Sequence, residues 1–475
     1  MVFASPLFLF MFLPITIIIY FILGKKLKNF WLMLVSIGFY SWGGANYAII
    51  ILISILLNYI VGIQIGRHKN NYRRKKVWLI LGLVLNFGIL GYFKYFNFFI
   101  DNVSKIGQIF YPQFLVVSKP ILLPIGISFF TFQIVSYIID VYRDDVAPQK
   151  NLINLALYIL LFPQLIAGPI VRYIDIEKQI NNRKVTIENF NHGIQRFIIG
   201  LSKKVLISNS TGFIADYIFN NREFYNNMGL TWIGVICYAL QIYHDFSGYS
   251  DMAIGLGRMF GFDFLENFNY PYISKSIKEF WRRWHISLST WFRDYLYIPL
   301  GGSKSGKLKT YRNLLIVFFA TGLWHGASWN FIVWGLFYGV FLIVERGKFG
   351  ELMGKLPIIL QRVYTMVIVL IGWVFFRAAD LSSALQFIRG MFSFHFQGFY
   401  SIYNVVDYEA LAFVCLGIVF STPIARNLGK FIKNKVGSHD NLLELIWSFC
   451  LIPVFLVSIL YITGSYFNPF IYFRF

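Results

Sequence analysis

Charge is what this sequence has least of. Asp, Glu, Lys and Arg make up 14% of its 475 residues, against about a quarter in a soluble domain. That scarcity argues against a water-soluble enzyme. Acidic residues are the rarer kind, 22 against 43 Lys and Arg, leaving a formal charge of +21. In a soluble protein such an excess points to nucleic acid. Here the basic residues cluster in short loops between apolar runs, as the positive-inside rule orders them, so no nucleic-acid partner is expected. There are three cysteines, Cys237, Cys415 and Cys450, in separate apolar segments without ligand spacing. They read as small buried hydrophobes, and neither a disulfide frame nor a metal site is expected. No basic residue precedes Lys25, so the positive n-region of a cleavable signal peptide is missing. Leu7 to Leu23 therefore reads as a retained first membrane helix. No internal repeat or low-complexity tract is visible, and the polar stretches Ile174–Glu188 and Arg426–Asn441 are too short for a soluble domain.

What is present is apolar and aromatic: 57% hydrophobic and 20% Phe, Trp and Tyr, with mean hydropathy +0.60. Many stretches approach the roughly 20 apolar residues that cross a bilayer as a helix. Lys25, Lys26 and Lys28 follow the first run and place that end in the cytoplasm, with the N-terminus outside. Asn29–Tyr40 and Tyr47–Ile65 go out and back. The next loop, with Arg67, Lys69, Arg73, Arg74, Lys75 and Lys76, is inside by parity and by charge. Further segments fall at Val77–Phe96, Ile121–Asp140, Leu152–Ile170, Gly193–Phe219, Gly229–Tyr243, Leu314–Trp324, Phe331–Val344, Ile358–Phe376, Ala410–Thr422 and Leu443–Thr463. The expectation is an all-α polytopic membrane protein of about 11–13 membrane segments, one domain over residues 1–475.

Several segments carry Gly, Pro or polar residues within them: Pro124 and Gly126, Pro163 and Gln164, Gly168 and Pro169, Gly322 and Gly326. Broken helices at membrane depth are tolerated only where protein or a water-filled cavity covers the freed backbone groups. Re-entrant pieces around a polar interior are expected.

Two Trp–His pairs carry the chemical signal, because imidazole exchanges protons near neutral pH and ionisable groups inside a membrane are costly. Trp284-His285 lies in a stretch with apolar residues at Ile277, Phe280, Trp281, Trp284, Leu288, Trp291 and Tyr295, which is helical spacing. The opposite stripe is Lys278, Arg282, His285, Ser289 and Arg293. On spacing alone this is an amphipathic helix at the membrane surface, with His285 one polar member among several. Trp324-His325 is different. Between Leu314 and Val344 the strongly polar side chains are His325, Ser328 and Asn330, with Thr321 beside them. Gly322 and Gly326 bracket the histidine, and a break there would expose backbone N–H groups and His325 to an internal cavity. Acyl transfer needs such a set, a base for the attacking hydroxyl and donors for the oxyanion. The alternative is a structural histidine hydrogen-bonded between helices.

His244-Asp245-Phe246-Ser247-Gly248-Tyr249-Ser250-Asp251 interrupts another apolar run. Asp245 and Asp251 are suited to orient an imidazole or hold an arginine such as Arg282 or Arg283, with buried ion pairing the favoured role; the spacing is poor for a metal. Gly301 to Lys307 nearly spells a phosphate loop, but Leu308 stands where the hydroxyl residue belongs and no strand precedes it. A nucleotide-hydrolysing site is rejected. The loop's Lys304, Lys307, Lys309 and Arg312 remain able to attract the phosphates of an acidic carrier or coenzyme.

Taken in order, Gly126-Ile-Ser-Phe-Phe-Thr-Phe-Gln133, Phe162-Pro-Gln-Leu-Ile-Ala-Gly-Pro169, Asp245-Phe-Ser-Gly-Tyr-Ser-Asp251, Phe280-Trp-Arg-Arg-Trp-His-Ile-Ser-Leu-Ser-Thr-Trp291, Asp294-Tyr-Leu-Tyr-Ile-Pro-Leu-Gly-Gly302 and Thr321-Gly-Leu-Trp-His-Gly326 resemble the membrane-bound O-acyltransferase (MBOAT) family, in its bacterial alginate O-acetyltransferase-type branch. The resemblance runs through nearly the whole chain. It implies a ring of tilted and re-entrant helices around a central funnel or tunnel in the bacterial cytoplasmic membrane. It also implies transfer of an acetyl group from a cytoplasmic thioester, an acyl-CoA such as acetyl-CoA or an acyl carrier, towards an extracellular polysaccharide, with no tightly bound cofactor. A separate extracytoplasmic partner of the SGNH-hydrolase type is implied as well. His325 is implied as the catalytic residue and His285 as the second functional position. Arg282 and Asp251 enter as supporting charges, Asp245 and Asn330 as further supporting residues, and Arg282, Lys304 and Lys307 as candidates for donor binding. His244 departs from the family pattern, where an aromatic or small residue is expected. The acceptor stays open among alginate, cellulose, peptidoglycan and other exopolysaccharides. The teichoic-acid D-alanylating branch shares the histidines and ranks second. A polysaccharide or lipid transporter without covalent chemistry is the reading from another class.

Overall fold

The computed structural model describes residues 1–304, 306–396, 406–436 and 440–464. Among the described residues every regular element is helical and none is a strand. The chain divides by its internal contacts into two compact units. One comprises Met1–Phe190, Gly257–Leu265 and Gly326–Ser328, the other Asn191–Leu256, Glu266–His325 and Trp329–Phe475.

The first unit is built from α1 (Phe8–Ile22), α2 (Lys25–Ser41), α3 (Ala45–Arg67), α4 (Tyr72–Phe110), α5 (Ile127–Arg143), α6 (Leu152–Leu160), α7 (Phe162–Leu165) and α8 (Tyr173–Asn182). Its core is aromatic. The rings of Phe3, Phe8, Phe39 and Phe162 meet at centroid separations of 5.0–6.4 Å, in the offset and edge-on geometries that aromatic quadrupoles favour. One buried polar contact joins two of its helices. Asn58 of α3 and Asn86 of α4 exchange amide hydrogen bonds of 3.1 and 2.7 Å. The residues flagged in the sequence at Gly126 and Pro163–Gln164 do break the helices. α5 begins only after Gly126, whose φ of +75° suits glycine. The Leu152–Ile170 segment splits into α6 and the one-turn α7, after which the chain to Val171 runs without helix and fully buried. Irregular backbone at this depth is thus covered by protein.

The second unit contains α9 (Ile187–Ser202), a π-helical turn (Lys203–Ser208), α10 (Asn209–Asn220), α11 (Met228–Met259), α12 (Ile277–Arg283), α13 (Ile286–Phe292), α14 (Lys307–His325), α15 (Trp329–Val344), α16 (Lys348–Lys355), α17 (Ile358–Arg377), α18 (Leu381–Met391), α19 (Tyr408–Phe420), α20 (Ile424–Val436) and α21 (Asp440–Gly464). Its centre is the hairpin of α14 and α15. A Cβ on Gly322 would stand 2.3 Å from the Phe331 carbonyl oxygen, and one on Gly335 2.2 Å from that of Phe318. The two backbones touch where only glycine fits, the small-residue packing that holds helices together in lipid.

Among the described residues, four helices are long and apolar enough to cross a membrane by length and composition: α3, α4, α17 and Leu445–Gly464 of α21. Two bent pairs, α15 with α16 (76°) and α19 with α20 (68°), raise the number to as many as six. Shorter apolar pieces, such as α6 and the short helix α1, make up further segments of the expected set. The protein is an all-helical, multi-pass membrane protein.

Candidate functional site

α14 carries an apolar run from Leu314 to Ala320 that resumes at Leu323 and Trp324, and it stops at His325, after which Gly326, Ala327 and Ser328 leave helical geometry. The break is therefore immediately after the histidine. Gly322, expected to help make it, instead lies within the helix and admits the neighbouring backbone. His325 is 3% exposed. Its ring stands edge-on to Trp324, Trp334 and Phe376, at 4.9, 4.9 and 5.1 Å between centroids. Asn330, the second residue of α15, donates from Nδ2 to the Ala378 carbonyl at 2.9 Å. It ties α15 to the end of α17.

The surroundings of His285 overturn the expectation of one continuous amphipathic helix. α12 ends at Arg283, α13 starts at Ile286, and His285 lies between them in left-handed geometry with φ +44°. It is fully buried, at 0% exposure, while Lys278, Arg282 and Arg293 of the same stripe are exposed as expected. The cause is a residue from another loop. The Asn267 carbonyl accepts the Ile286 N–H at 2.9 Å, and Asn267 Oδ1 accepts the Ser287 N–H at 3.2 Å. The first N–H groups of α13 are thereby capped from outside their own segment, as any helix start requires. The same Oδ1 lies 3.1 Å from His285 Nδ1. The two imidazoles are linked through Trp324, whose ring is 5.9 Å from that of His285 and 4.9 Å from that of His325.

The carboxylates of the 245–251 stretch do not take Arg282 or Arg283. Asp245 pairs with Lys204 at 2.9 Å, and Asp251 with Arg196 at 2.8 Å and Lys203 at 2.7 Å. Arg283 goes to Glu279 at 2.8 Å. The favoured role, buried ion pairing, stands, but the cations come from α9 and the turn after it, whose closeness to α11 sequence spacing does not disclose. The stretch itself does not interrupt its helix: α11 runs through it for 32 residues. His244 is buried, with Nε2 3.0 Å from the Gly417 carbonyl. It joins α11 to α19.

Two cavities flank the α12–α13 break, and Ile286 lines both. The smaller, about 730 Å³, has Lys275, Lys278, Arg282, Arg293 and Arg346 on its walls, with Trp281, Phe318 and Thr321 among its apolar and inner residues. Thr321 and His325 are four residues apart on α14, on one helical face. Glu345 also borders the cavity, but its carboxylate is engaged in accepting the Ile277 and Lys278 N–H groups at the start of α12, at 2.7 and 3.1 Å. The larger cavity, about 1080 Å³, is bordered by Asn267, Ser250, Asp251, Arg196 and Lys203 and by apolar side chains of α19 and α21. Neither Lys304 nor Lys307 borders either cavity. Their loop turns at Gly301, Gly302 and Gly306, all at positive φ, and is tied to α14 by the Asn313 amide, which donates to the carbonyls of Leu300 and Gly302. Ser305 within it lies outside the described residues. No group of three or more His, Cys, Asp or Glu suited to a metal occurs among the described residues. Spacing singled out neither Asn267 nor Arg196, Lys203, Lys204, Lys275 and Arg346. Nothing in the stretch Phe262 to Tyr270, which also holds Asp263, Glu266 and Asn269, singles out Asn267.

The site is thus a buried histidine in an all-helical membrane protein, one turn from Thr321 on the wall of a basic cavity. A family model for the membrane-bound O-acyltransferases matches residues 143–376. The chain is 43% identical over 446 residues to the probable alginate O-acetylase AlgI of Pseudomonas aeruginosa, covering 92% of this chain and 85% of that one. It is 39% identical to the peptidoglycan O-acetyltransferase of Helicobacter pylori, over 82% and 80% of the two chains. Similarity to the teichoic acid D-alanyltransferase of Bacillus subtilis is 32% identity over 46% and 58%. The chain belongs to the membrane-bound O-acyltransferase family and is an O-acyltransferase. A carrier without covalent chemistry is set aside.

Proposed function

We propose that this protein takes an acetyl group from a cytoplasmic thioester, acetyl-CoA, and passes it across the cytoplasmic membrane for O-acetylation of an extracellular or cell-wall polysaccharide. The observation that carries this reading is the course of the smaller cavity, from a rim of five cationic side chains to Thr321, one turn from His325. Lys307 and Lys309 begin α14, and Arg346, Lys348 and Lys355 follow α15, so the open end of this antiparallel hairpin is basic. By the positive-inside rule that end is cytoplasmic. α14 rises about 28 Å over its 19 residues, close to the roughly 30 Å of a bilayer's hydrocarbon core. A phosphate-bearing donor would be held at the rim by Arg282, Lys278 and Arg346 and extend its thioester inward.

In the chemical step His325 accepts the proton of the acceptor hydroxyl while that oxygen attacks the thioester carbonyl carbon. The C–O bond forms and the C–S bond breaks. The departing thiolate takes the proton from the imidazolium, leaving His325 neutral for the next turnover. The aromatic cage around His325 excludes water that would otherwise hydrolyse the thioester. His285 orients the acceptor or the donor from the neighbouring break. Acetyl rather than D-alanyl transfer is favoured because the acetylating relatives match across most of the chain and the D-alanylating one across less than half. An extracytoplasmic SGNH-hydrolase-type enzyme would complete delivery to the glycan. Cells carrying His325→Ala should lose ester-linked acetate from their envelope polysaccharide; normal acetate content in those cells would overturn the assignment.

A further inference from the structure

The groups around His285 determine which of its nitrogens carries the proton. A backbone N–H can only donate, so the atom of Asn267 that faces the Ser287 N–H at 3.2 Å must be the amide oxygen. The Ser287 hydroxyl, 2.9 Å away, donates to the same oxygen. The other end of the amide is fixed as well, because Asn267 Nδ2 donates to the Ser250 hydroxyl at 3.1 Å. The atom 3.1 Å from His285 Nδ1 is thus an acceptor; the Ser287 hydroxyl lies farther from Nδ1, at 3.5 Å, and its proton goes to the nearer Asn267 oxygen, so Nδ1 carries the proton. Nε2 then holds the lone pair. No hydrogen-bond partner for Nε2 occurs among the described residues, and the ring is fully buried beside Phe246 and Trp324, at 4.6 and 5.9 Å.

We propose that Asn267 is a positioning residue that holds His285 as the Nδ1–H tautomer and thereby presents Nε2, with its lone pair, to the transfer reaction. The inference rests on the reading above that His285 takes part in transfer, and it adds the tautomer, the working nitrogen and the residue that sets both. Asn267 does this from 18 positions away, and the same side chain caps α13, so ring orientation and helix start are coupled. It also borders the larger cavity. An amide imposes the tautomer without adding charge; a carboxylate at this position would favour imidazolium and withdraw the lone pair from Nε2.

The test uses the full chain in lipid nanodiscs with 15N-labelled histidine rings, the His285 resonances being assigned by their loss in His285→Gln. Wild type should show a protonated Nδ1 and a pyridine-like Nε2. Asn267→Leu should abolish that bias and lower kcat by at least about tenfold, with little change in KM for acetyl-CoA. Asn267→Asp should keep the tautomer and move the acidic limb of the pH–rate profile to higher pH. A wild-type ring protonated on Nε2, or an unchanged tautomer in Asn267→Leu, overturns the proposal. If Asn267→Leu fails to fold because α13 loses its cap, the wild-type spectrum and the Asn267→Asp profile decide. Full activity in His285→Gln alongside the expected tautomer would instead refute participation of His285 and leave its orientation by Asn267 standing.

Discussion

His325 and His285 are both imidazoles at helix breaks, held by different means. His325 is gripped by three aromatic rings and ends its own helix, whereas His285 is fixed by an amide from another loop. If His325 is the base, His325→Ala should lower the transfer rate by about 10²- to 10⁴-fold, the usual worth of a positioned general base, with donor binding retained. Steady-state kinetics with a binding assay on the same preparation checks this. Asp245 and Lys204 make a sharper structural case, since their side chains are 1% and 5% exposed. Lys204→Met would strand a carboxylate in the interior and cost about 3–5 kcal/mol, while adding Asp245→Leu should recover most of it. Thermal unfolding of the two variants in detergent measures the difference. At this scale the burial of His325 at a helix break was legible in the sequence, because few polar side chains share its span. Asn267 was not, because its partners are 18 and 20 positions distant and an asparagine in an aromatic run has no periodicity to betray it.

The elements show why one break could be read from sequence and the other could not. At Gly326–Ser328 three small residues end the apolar run, so the pattern itself stops. Across Trp284–His285 the apolar spacing continues through Leu288, Trp291 and Tyr295, and only the backbone changes direction. A left-handed histidine leaves no mark on hydrophobic periodicity, so the stretch reads as one helix and its histidine as a surface residue. The α14–α15 hairpin is the element most exposed to a single change. Gly335→Leu would force a side chain into the Phe318 carbonyl and should destabilise the protein by about 1–3 kcal/mol, as overpacking does. The same variant should lower activity because Thr321 and His325 ride on the displaced helix. Gly354→Ala, whose Cβ would meet nothing within 4 Å, is the control expected to leave unfolding temperature unchanged.

Among the described residues, charge lies on loops, helix ends and cavity rims and also in buried pairs such as Asp245–Lys204. Membrane residence and helical class were legible from composition, and the family from six ordered motifs. Which segments are long unbroken helices and which are half-length pieces joined by buried irregular chain was not, because hydropathy does not separate the two. Among the loops, the Lys75 ammonium, 2.7 Å away, holds the Asp144 carboxyl below its ordinary value of 3.8. A depressed folded value means stability that is present above the ordinary aspartate range and lost as pH falls through the folded value. Asp144 is 44% exposed, so solvent screening limits the pair to about 0.2–1 kcal/mol. Asp144→Asn should therefore lower the unfolding temperature slightly at pH 7 and flatten its decline in acid. At the basic cavity, Arg282→Gln with Arg346→Gln should raise KM for acetyl-CoA several-fold, with the loss shrinking at high salt as electrostatic attraction is screened.

The central claim is that a thioester enters from the basic side and gives up its acyl group at His325. Its most direct measurement is made on the purified full chain in liposomes, given acetyl-CoA labelled in the acetyl group together with the SGNH-type partner and polysaccharide in the lumen. Release of free CoA outside with labelled ester inside, both lost in His325→Ala, is the result this account predicts. Free CoA and labelled ester at equal rates in wild type and His325→Ala, or neither in wild type, would contradict it.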